Sequence, residues 1–351
     1  MIPEELPLRL ILDGTALVAN WRWLAHCAAA PAGAAVKADG YGLGAGDVTR
    51  RLAEAGCRDF FVATWAEADA IEALAPEGQI AVLHGVREED MPSALASRAR
   101  PVLNTPAMVA RWKAAAPGRP CDVMVDTGMN RLGLSVEEAC SGLLDGLRID
   151  VLMSHLACAD EVDSAMNARQ RASFADVAGR IRSERRSLAN SAGICIGADY
   201  GFDLVRPGLA LYGGIPRAEA AGHIAPVARI EAQILQVRDV QPGQTIGYGA
   251  TFTATRAMRV AILNLGYADG YLRAFAGQGK ARHGDVECPL VGRVSMDLVA
   301  VDLAAADVAE GDWLEIDYRL ESAARATGLS QYELLTGLGS RYQRRWIDQR
   351  A

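Results

Sequence analysis

The feature that most constrains the fold is a repeated alternation of short apolar or β-branched runs with alanine-rich segments that have helical spacing. The helical segments include Ala66 to Leu74, Thr105 to Ala116, Val136 to Leu143 and Ser164 to Ser183. Strands that alternate with helices in this way pair in parallel. The strand-like runs number eight: Ala35-Val36, Phe60 to Val62, Ile80 to Leu83, Val102-Leu103, Val123 to Val125, Val151 to Met153, Leu188-Ala189 and Leu204-Val205. Eight strand–helix units predict an α/β fold of the (β/α)8 TIM barrel type rather than an open doubly wound sheet.

From about residue 225 the pattern changes to alternating, strand-like runs separated by turns such as Pro242-Gly243 and Glu310-Gly311. The runs are Ala228 to Val240, Val260 to Leu265, Cys288 to Val294, Leu298 to Asp302 and Trp313 to Ile316, and helices are predicted over Leu320 to Thr327 and Tyr332 to Gly337. A chain of 351 residues is longer than one domain usually is. We therefore expect a barrel over residues 1–224 and a mainly-β C-terminal domain over residues 225–351.

Composition and charge exclude several functional classes. Apolar stretches such as Ala28 to Val36 and Val299 to Ala306 are shorter than the roughly 20 residues of a membrane span. The acidic start, Met1 to Glu5, lacks the pattern of a secretory signal, which predicts a cytoplasmic protein. Seven cysteines without a C-x-x-C pair and five scattered histidines predict neither disulfides nor a metal site. The net charge is −7, and the basic clusters are Arg182 to Arg186, interpreted as the exposed end of a helix, and Arg341 to Arg345, so nucleic-acid binding is not expected.

The first barrel strand leads into the string Val36-Lys37-Ala38-Asp39-Gly40-Tyr41-Gly42-Leu43-Gly44. Active sites of (β/α)8 barrels lie at the carboxyl ends of the strands, so we expect Lys37 to point into the mouth of the barrel. Taken alone, a lysine at such a position is more often a solvated surface charge than a catalytic group, and an amine in a desolvated pocket would instead have a lowered pKa and could act as a nucleophile and then as a base. A dinucleotide-binding loop is the alternative interpretation, but Gly42, Gly44 and Gly46 have the wrong spacing for it.

Further strings follow the later strands of the barrel, and two lie in the second domain. They are Asp126 to Gly133, Ser154 to Leu156, Asn190 to Gly193, Val205 to Leu209, Asn264 to Tyr271 and Gly292 to Asp297. Loops after the seventh and eighth strands of such barrels commonly bind phosphate through backbone amides. This position makes Ser191, Gly208 and Leu209 candidates for a phosphate site.

In these strings, and in their order along nearly the whole chain, the sequence resembles the alanine racemases, a family of fold-type III pyridoxal-phosphate enzymes. The resemblance implies pyridoxal 5'-phosphate as the cofactor, carried by Lys37 as a Schiff base. It places Arg206 at the pyridine nitrogen, where a guanidinium should leave that nitrogen unprotonated. It also assigns His155 to the pyridine ring and Arg131 to the phenolate oxygen and the substrate carboxylate. The remaining cofactor-binding residues that it implies are Tyr41, Asn190, Ser191, Gly208 and Leu209.

The same resemblance implies a second catalytic base, Tyr267, and substrate contacts from Met296 and Asp297. In this family the β domain of one subunit completes the barrel site of the other, which implies a homodimer with shared active sites. Lys37 would serve the D-enantiomer and the partner subunit's Tyr267 the L-enantiomer. The implied function is the interconversion of L-alanine and D-alanine by these two bases, providing D-alanine for peptidoglycan.

Two positions depart from the family pattern. Many members have a carbamylated lysine that holds the motif arginine, and Met124 stands there instead, which predicts activity independent of carbonate. Asn130 is then expected to orient Arg131, with an anion or a water molecule as the alternative. A tyrosine near the family's C-terminal segment aligns with Ser340, which predicts a wider mouth and serine as a second substrate.

Two alternative functions are a racemase of broader specificity and a barrel-type amino-acid decarboxylase, which shares the cofactor lysine and a β domain. The decarboxylases use a C-terminal cysteine, whereas the only cysteine beyond residue 195 here is Cys288, in an unmatched context. A cofactor-carrier barrel would have no use for a β domain with Tyr267.

Overall fold

The computed structural model describes residues 5–348, so Met1 to Glu4, part of the segment assessed for a secretory signal, lie outside the described residues. The chain separates into two compact units. The barrel unit comprises residues 16–225, and the β unit comprises the described residues up to Thr15 together with those from Pro226 onward. The first strand therefore belongs to the β unit, a departure from the predicted division into residues 1–224 and 225–351.

The barrel unit is built on a parallel sheet whose seven strands are paired in the order in which they follow along the sequence. Each strand is short, and all but Arg185–Ser187 are mostly buried, as expected when helices cover a parallel sheet. The strands are Ala34–Ala35, Asp59–Val62, Gln79–Val82, Arg100–Leu103, Pro120–Met124, Arg148–Met153 and Arg185–Ser187. The seventh of these begins three residues before the predicted run Leu188-Ala189.

The eighth predicted run, around Val205, forms a single parallel bridge with Ala32 instead of a longer ladder. The Gly33 amide donates to the Val205 carbonyl at 2.9 Å, and the Arg206 amide donates to the Ala189 carbonyl at 2.9 Å. The segment is therefore bonded to both ends of the seven-stranded sheet and closes it. The predicted fold class, a TIM barrel followed by a mainly-β domain, is confirmed.

Helices of the barrel unit begin at the side-chain caps that the sequence offers. Thr64 and Ser135 both open capping boxes, and Thr105 caps a helix with Pro106 at its first position. None of the helices between residues 5 and 348 combines the length and the apolarity that a membrane span requires. The helices are Gly14–Ala28, Ala45–Glu54, Trp65–Glu72, Met91–Ala96, Pro106–Ala115, Val136–Ala139, Ala165–Arg180 and Ser191–Ile196, with the irregular turn Lys37–Tyr41 and 3-10 turns at Ala198–Tyr200, Leu209–Tyr212 and Ala218–Ala220.

The basic cluster Arg182 to Arg186 is not the exposed end of a helix, as was predicted. The helix ends at Arg180, and Arg185–Ser187 forms a barrel strand. Arg186 makes a bidentate pair with Asp203, with its Nε 2.6 Å from the carboxylate. The prediction was wrong because both arginine side chains stay partly exposed and have carboxylate partners, which lowers the cost of placing charge in a strand.

Arg185 belongs to a network of ion pairs among residues near the amino-terminal ends of the barrel strands. It donates to Asp59 at 2.8 and 2.9 Å and to Asp150 at 2.9 Å. Arg100 lies 3.0 Å from Asp150 and 3.0 Å from the fully buried Asp122. This end of a (β/α)8 barrel contributes to stability, whereas the opposite end carries the chemistry.

The β unit is a mostly antiparallel eight-stranded sheet that closes on itself, because Met258–Asn264 pairs with both Leu298–Asp302 and the long strand Ala228–Val240. The other strands of the sheet are Leu8–Asp13, Lys280–His283, Val286–Val291, Trp313–Ile316 and Gln343–Ile347. The rest of the unit comprises a small hairpin, Thr245–Ile246 with Phe252–Thr253, the helices Leu320–Thr327 and Gln331–Thr336, and 3-10 turns at Tyr248–Ala250, Tyr267–Asp269 and Arg273–Phe275.

Candidate active site

Lys37 stands at the start of a strained turn that follows the strand Ala34–Ala35. The next four residues, Ala38, Asp39, Gly40 and Tyr41, have φ angles of 53°, 53°, 61° and 56°. These angles lie in the left-handed region, which costs a residue other than glycine roughly 1–2 kcal/mol. Strain of this kind persists only where the surroundings hold it, and it concentrates at functional sites.

Three cationic or potentially cationic side chains of the barrel unit interact electrostatically with Lys37, namely those of Arg131, His155 and Arg206. Partial burial lowers the pKa of the Lys37 amine, and the charges of Arg131 and Arg206 lower it further. The Glu67 carboxylate opposes this shift. A lysine that reaches its neutral form more easily is a better nucleophile and a better base.

His155 lies at the carboxyl end of the strand Arg148–Met153 and is held neutral. Burial and, after it, the charges of Arg206, Arg131 and Lys37 lower the pKa of its imidazole to about 3. Its backbone is fixed by the fully buried Gln170, whose amide nitrogen donates to the His155 carbonyl at 2.9 Å. A neutral ring can lie against an apolar or aromatic ligand without adding charge to this cationic region.

Arg206 lies on the closing segment of the barrel and is only 6% exposed. Its Nη1 donates to the Ser187 hydroxyl and its Nη2 to the Ser154 carbonyl, both at 2.5 Å. Burial lowers the pKa of the guanidinium to about 10, so the group is still a cation at neutral pH. Two strand ends thus hold a buried positive charge in a fixed orientation.

The loop that carries Arg131 is organised by Asp126. One carboxylate oxygen of Asp126 accepts from the Gly128 amide at 2.7 Å, and the other accepts from the Arg131 amide at 2.9 Å. Met124, at the position of the family's carbamylated lysine, is a buried side chain without an amine. Within residues 5–348 the Asn130 side chain makes no hydrogen bond to the Arg131 guanidinium, so the structure gives no support to the predicted orientation of Arg131 by Asn130.

A second group of predicted residues surrounds Gly208. A side chain there would place its Cβ 2.2 Å from the Tyr41 hydroxyl oxygen, so only glycine fits. The Ser191 hydroxyl accepts from the amides of Gly208 at 2.9 Å and Ala210 at 3.2 Å. Tyr41 stacks on Tyr212 with 4.7 Å between ring centroids. Because both amides already donate to Ser191, the donors that this group can offer to a phosphate are the hydroxyls of Ser191 and Tyr41, next to the open space at Gly208.

Two other predicted contacts in this region have mainly structural roles in the geometry. Asn190 caps the helix Ser191–Ile196, because its side-chain oxygen accepts from the Gly193 amide at 2.9 Å. Leu209 is buried and starts the 3-10 turn Leu209–Tyr212, so it can offer a ligand only its backbone.

The remaining predicted site residues, Tyr267, Met296 and Asp297, lie together in the β unit. The Tyr267 amide donates to the Ser295 carbonyl at 3.0 Å, and the Ala268 amide donates to the Met296 carbonyl at 3.0 Å. The segments Asn264 to Tyr271 and Gly292 to Asp297, predicted separately, are thus joined by backbone hydrogen bonds. Arg273 adds a cation 5.6 Å from the centre of the Tyr267 ring.

Arg341 ties this group to the C-terminal part of the chain. Its guanidinium donates twice to Asp269, at 2.7 Å each, and once to Asp297 at 2.6 Å. Asp269 is fully buried and also accepts from the Gly266 amide at 2.9 Å. The Tyr342 hydroxyl donates to the Asp269 carbonyl at 2.8 Å, so Tyr342 braces this turn and is not a free ring that could replace the tyrosine missing at Ser340.

Family models match both units. The model described as "Alanine racemase, N-terminal domain" matches residues 12–216, and the model described as "Alanine racemase, C-terminal domain" matches residues 227–346. The chain belongs to the alanine racemase family. An alanine racemase of Jannaschia sp. is 45% identical over 95% of this chain and 97% of its own length. A biosynthetic alanine racemase of Agrobacterium fabrum is 41% identical over 98% of this chain and 95% of its own length.

A solved alanine racemase, that of Bartonella henselae with covalently bound pyridoxal phosphate, has the same fold with a TM-score of 0.91. It is 35% identical, and the match covers 98% of this chain and 100% of that chain. The rival decarboxylase interpretation finds no support in the structure, because Cys288 is wholly buried within the strand Val286–Val291.

Sequence analysis missed three side chains that fix candidate site residues, two in the barrel unit and one in the β unit of this alanine racemase family member. Glu67 could have been recognised as part of a capping box, T-x-x-E, but its reach to the Lys37 turn could not. Gln170 lies within an ordinary helical pattern that gives no sign of its contacts. Arg341 was seen only as part of a basic cluster.

Proposed function

We propose that this protein is a pyridoxal-phosphate-dependent alanine racemase that interconverts L-alanine and D-alanine. The observation that carries the proposal is the environment of Lys37, an amine with a lowered pKa beside Arg131, His155 and Arg206 at the carboxyl ends of the barrel strands. Incubating L-alanine with the purified enzyme, with and without added pyridoxal phosphate, and following D-alanine by chiral chromatography tests it. A panel of other L-amino acids in the same assay defines the substrate.

The residues present fit the cofactor. When bound to Lys37, pyridoxal phosphate would supply an electron sink that acidifies the α-proton of an amino acid. The hydroxyls of Tyr41 and Ser191 and the backbone amide of Leu209 would hold its phosphate, beside the open space at Gly208. Loss of borohydride-trapped cofactor in a Lys37→Ala variant would support this assignment, and trapping at another lysine would refute it.

Around the cofactor, the chain's own residues have three further roles in this proposal. Arg206, a rigidly held cation, would face the ring nitrogen and would not readily donate a proton to it, which would leave that nitrogen unprotonated. His155, whose imidazole is neutral, would lie against the ring. Arg131 binds the substrate carboxylate, with Met296 and Asp297 completing the substrate site.

Two bases would act on opposite faces of the substrate. Lys37 removes or returns the α-proton of D-alanine, and the partner subunit's Tyr267 does so for L-alanine. Tyr267→Phe should therefore suppress α-proton exchange of L-alanine in heavy water far more than that of D-alanine, since loss of a general base costs about 10²–10⁴ in rate. Equal loss for both enantiomers would indicate a single base.

The proposal includes a homodimer with shared active sites, and an exposed apolar surface on the β unit supports it. Tyr248 is 70% exposed, Met296 52%, Leu235 43% and Leu298 39%. A groove of about 520 Å³ runs beside Tyr248 and Leu298. Large apolar side chains that stay exposed beside a groove are a common feature of association sites.

Mixing two inactive variants tests the shared site. In a dimer of one Lys37→Ala subunit and one Tyr267→Phe subunit, one active site has both changes and the other has none. Random reassociation should then restore roughly a quarter of the wild-type activity, because half the dimers are mixed and each has one intact site. No recovery, with mixed dimers demonstrated by mass spectrometry, would place both bases within one subunit.

A cytoplasmic location and the supply of D-alanine for peptidoglycan complete the proposal. The supply of D-alanine is supported by the resemblance to a biosynthetic alanine racemase. A deletion strain that requires D-alanine for growth, and recovers with this gene but not with its Lys37→Ala variant, would establish the role.

A further inference from the structure

Glu67 makes more contacts than its position in a capping box requires. Its Oε2 accepts from the Thr64 amide at 3.2 Å, the ordinary capping-box bond, and from the Ala63 amide at 2.6 Å. Its Oε1 accepts from the Ala38 amide at 2.8 Å. Ala38 immediately follows Lys37, so one side chain joins the helix Trp65–Glu72 to the turn that carries the proposed catalytic lysine.

The two other capping boxes of the described chain that end in a glutamate lack this reach. Glu138 accepts from the Ser135 amide at 2.9 Å, and Glu333 accepts from the amide and the hydroxyl of Ser330 at 2.8 Å each. Each of these carboxylates bonds only within its own box. The additional bond to Ala38 therefore is not a by-product of helix capping.

The groups around Glu67 require a carboxylate in particular. The Ala38, Ala63 and Thr64 amides are all donors, and an ionised carboxylate is the side-chain group that only accepts. A glutamine would have to turn its NH2 group toward one of these amides. The side chain is also long enough to span both loops, whereas aspartate is shorter by one methylene.

The bond to Ala38 lies where the backbone is most strained. Ala38 is the first of the four residues with left-handed φ angles, and within the turn the Gly40 amide donates to the Val36 carbonyl at 2.9 Å. Asp39 fixes the far end, since its side chain accepts from the Ala45 amide at 2.9 Å. Glu67 thus holds the end of the turn that adjoins Lys37.

Glu67 also supplies the negative charge among the groups that face Lys37. Arg131 and Arg206 lower the pKa of the Lys37 amine, His155 is neutral, and Glu67 acts in the opposite direction. Its carboxylate therefore limits how far a cationic surrounding can disfavour the protonated lysine, the form that returns a proton.

We propose that Glu67 is a positioning residue for Lys37: its carboxylate fixes the strained turn after the lysine and provides the acidic group that balances the arginines around it. The proposal rests on the proposed role of Lys37 as the base for D-alanine. It predicts an effect on one enantiomer that a merely structural cap would not have.

The test compares Glu67→Ala and Glu67→Gln with Glu138→Ala, which removes a capping box of the same type elsewhere in the barrel unit. In the full-length holoenzyme, amide hydrogen exchange of residues 36–42 should be about 10-fold faster in Glu67→Ala, since a hydrogen bond to a charged acceptor on an exposed amide is lost. Glu67→Gln, which keeps one acceptor, should be intermediate. Glu138→Ala should leave that segment unchanged.

A second measurement separates positioning from general stability. In heavy water, α-proton exchange of D-alanine should fall at least about 10-fold more than that of L-alanine in Glu67→Ala, with KM changed less than kcat. Equal loss for both enantiomers, or exchange of residues 36–42 no faster than in Glu138→Ala, would overturn the proposal. Failure of the proposed function itself would be seen separately, as a wild-type enzyme without racemase activity, and the amide exchange would still decide the role of Glu67 in the turn.

Discussion

Arg341 is the position at which one substitution should most clearly separate proton abstraction from L-alanine from proton abstraction from D-alanine in the proposed reaction. Arg341→Ala removes three charge-assisted hydrogen bonds and leaves the fully buried Asp269 with the Gly266 amide as its remaining charge-stabilising donor. Breaking a buried ion pair by truncating one partner costs about 3–5 kcal/mol. Arg341 is itself 46% exposed, so water can partly replace it, and the bond to the exposed Asp297 adds little.

We therefore expect the turn Tyr267–Asp269 to lose about 2–3 kcal/mol of local stability, roughly a 30- to 150-fold change in its opening equilibrium. Amide hydrogen exchange of residues 264–271 measures this directly. Because the turn carries the proposed base for L-alanine, α-proton exchange of L-alanine should fall more than that of D-alanine. Arg341→Lys should retain only part of the stability of the turn and of the exchange of L-alanine, since an ammonium group cannot make the bidentate pair with Asp269.

Arg345→Ala is the matched control for this experiment. Arg345 lies on the same C-terminal segment but pairs with the exposed Glu5, a contact worth about 0–1 kcal/mol. It should alter neither the exchange of residues 264–271 nor the ratio between the enantiomers. The reasoning about Asp269 is wrong if Arg341→Ala and Arg345→Ala behave alike.

Three further perturbations have expected outcomes. Gly208→Ala should displace the Tyr41 hydroxyl, costing about 1–3 kcal/mol in urea unfolding and weakening retention of pyridoxal phosphate on dialysis, whereas Gly179→Ala, with open space around it, should do neither. The His155 imidazole has a pKa of about 3 in the folded chain against 6.5 normally, so the fold excludes a proton that the unfolded chain binds. The contribution of His155 to the free energy of unfolding should thus be fully present above pH 6.5 and be lost as the pH falls below it. Between pH 6.5 and 5 the free energy of unfolding of the wild type should fall by about 2 kcal/mol more than that of His155→Gln. Parallel plots of unfolding free energy against pH for the two proteins would contradict this. Ser340→Tyr should lower kcat/KM for L-serine relative to L-alanine by roughly 10-fold or more, and an unchanged ratio would mean that Ser340 does not control access.

Local patterns predicted much of the fold. Ala228–Val240, Leu298–Asp302 and Trp313–Ile316 begin and end where the apolar patterns and turn residues placed them. Trp313–Ile316 alternates between buried and partly exposed positions, whereas Leu298–Asp302 is buried at every position but its first. Lys280–His283 was missed, since its lysine, arginine and histidine interrupt the apolar pattern. The helix predicted over Val136 to Leu143 ends at Ala139, ahead of Gly142 with its φ of 87°.

The candidate site was predictable where its residues form strings along the chain, as around Lys37 and Tyr267. It was not predictable where a contact joins distant segments. Gln170 fixes the backbone of His155, and Arg341 holds Asp269, through pairings that no spacing in the sequence specifies. Such contacts depend on how helices and strands pack, which local propensity does not determine.

The strand Leu8–Asp13 makes the order of synthesis matter for this protein. It pairs antiparallel with Ala228–Val240 and parallel with Gln343–Ile347, so the ribosome makes it before the entire barrel, while its partners emerge only after it. Its backbone donors and acceptors stay unpaired throughout, and an apolar strand with open edges is prone to join other chains. A nascent chain that stops before Gln343 would have a complete barrel unit and still present one unpaired edge of Leu8–Asp13. That edge is covered only when Gln343–Ile347, the last strand to be synthesised, pairs with it.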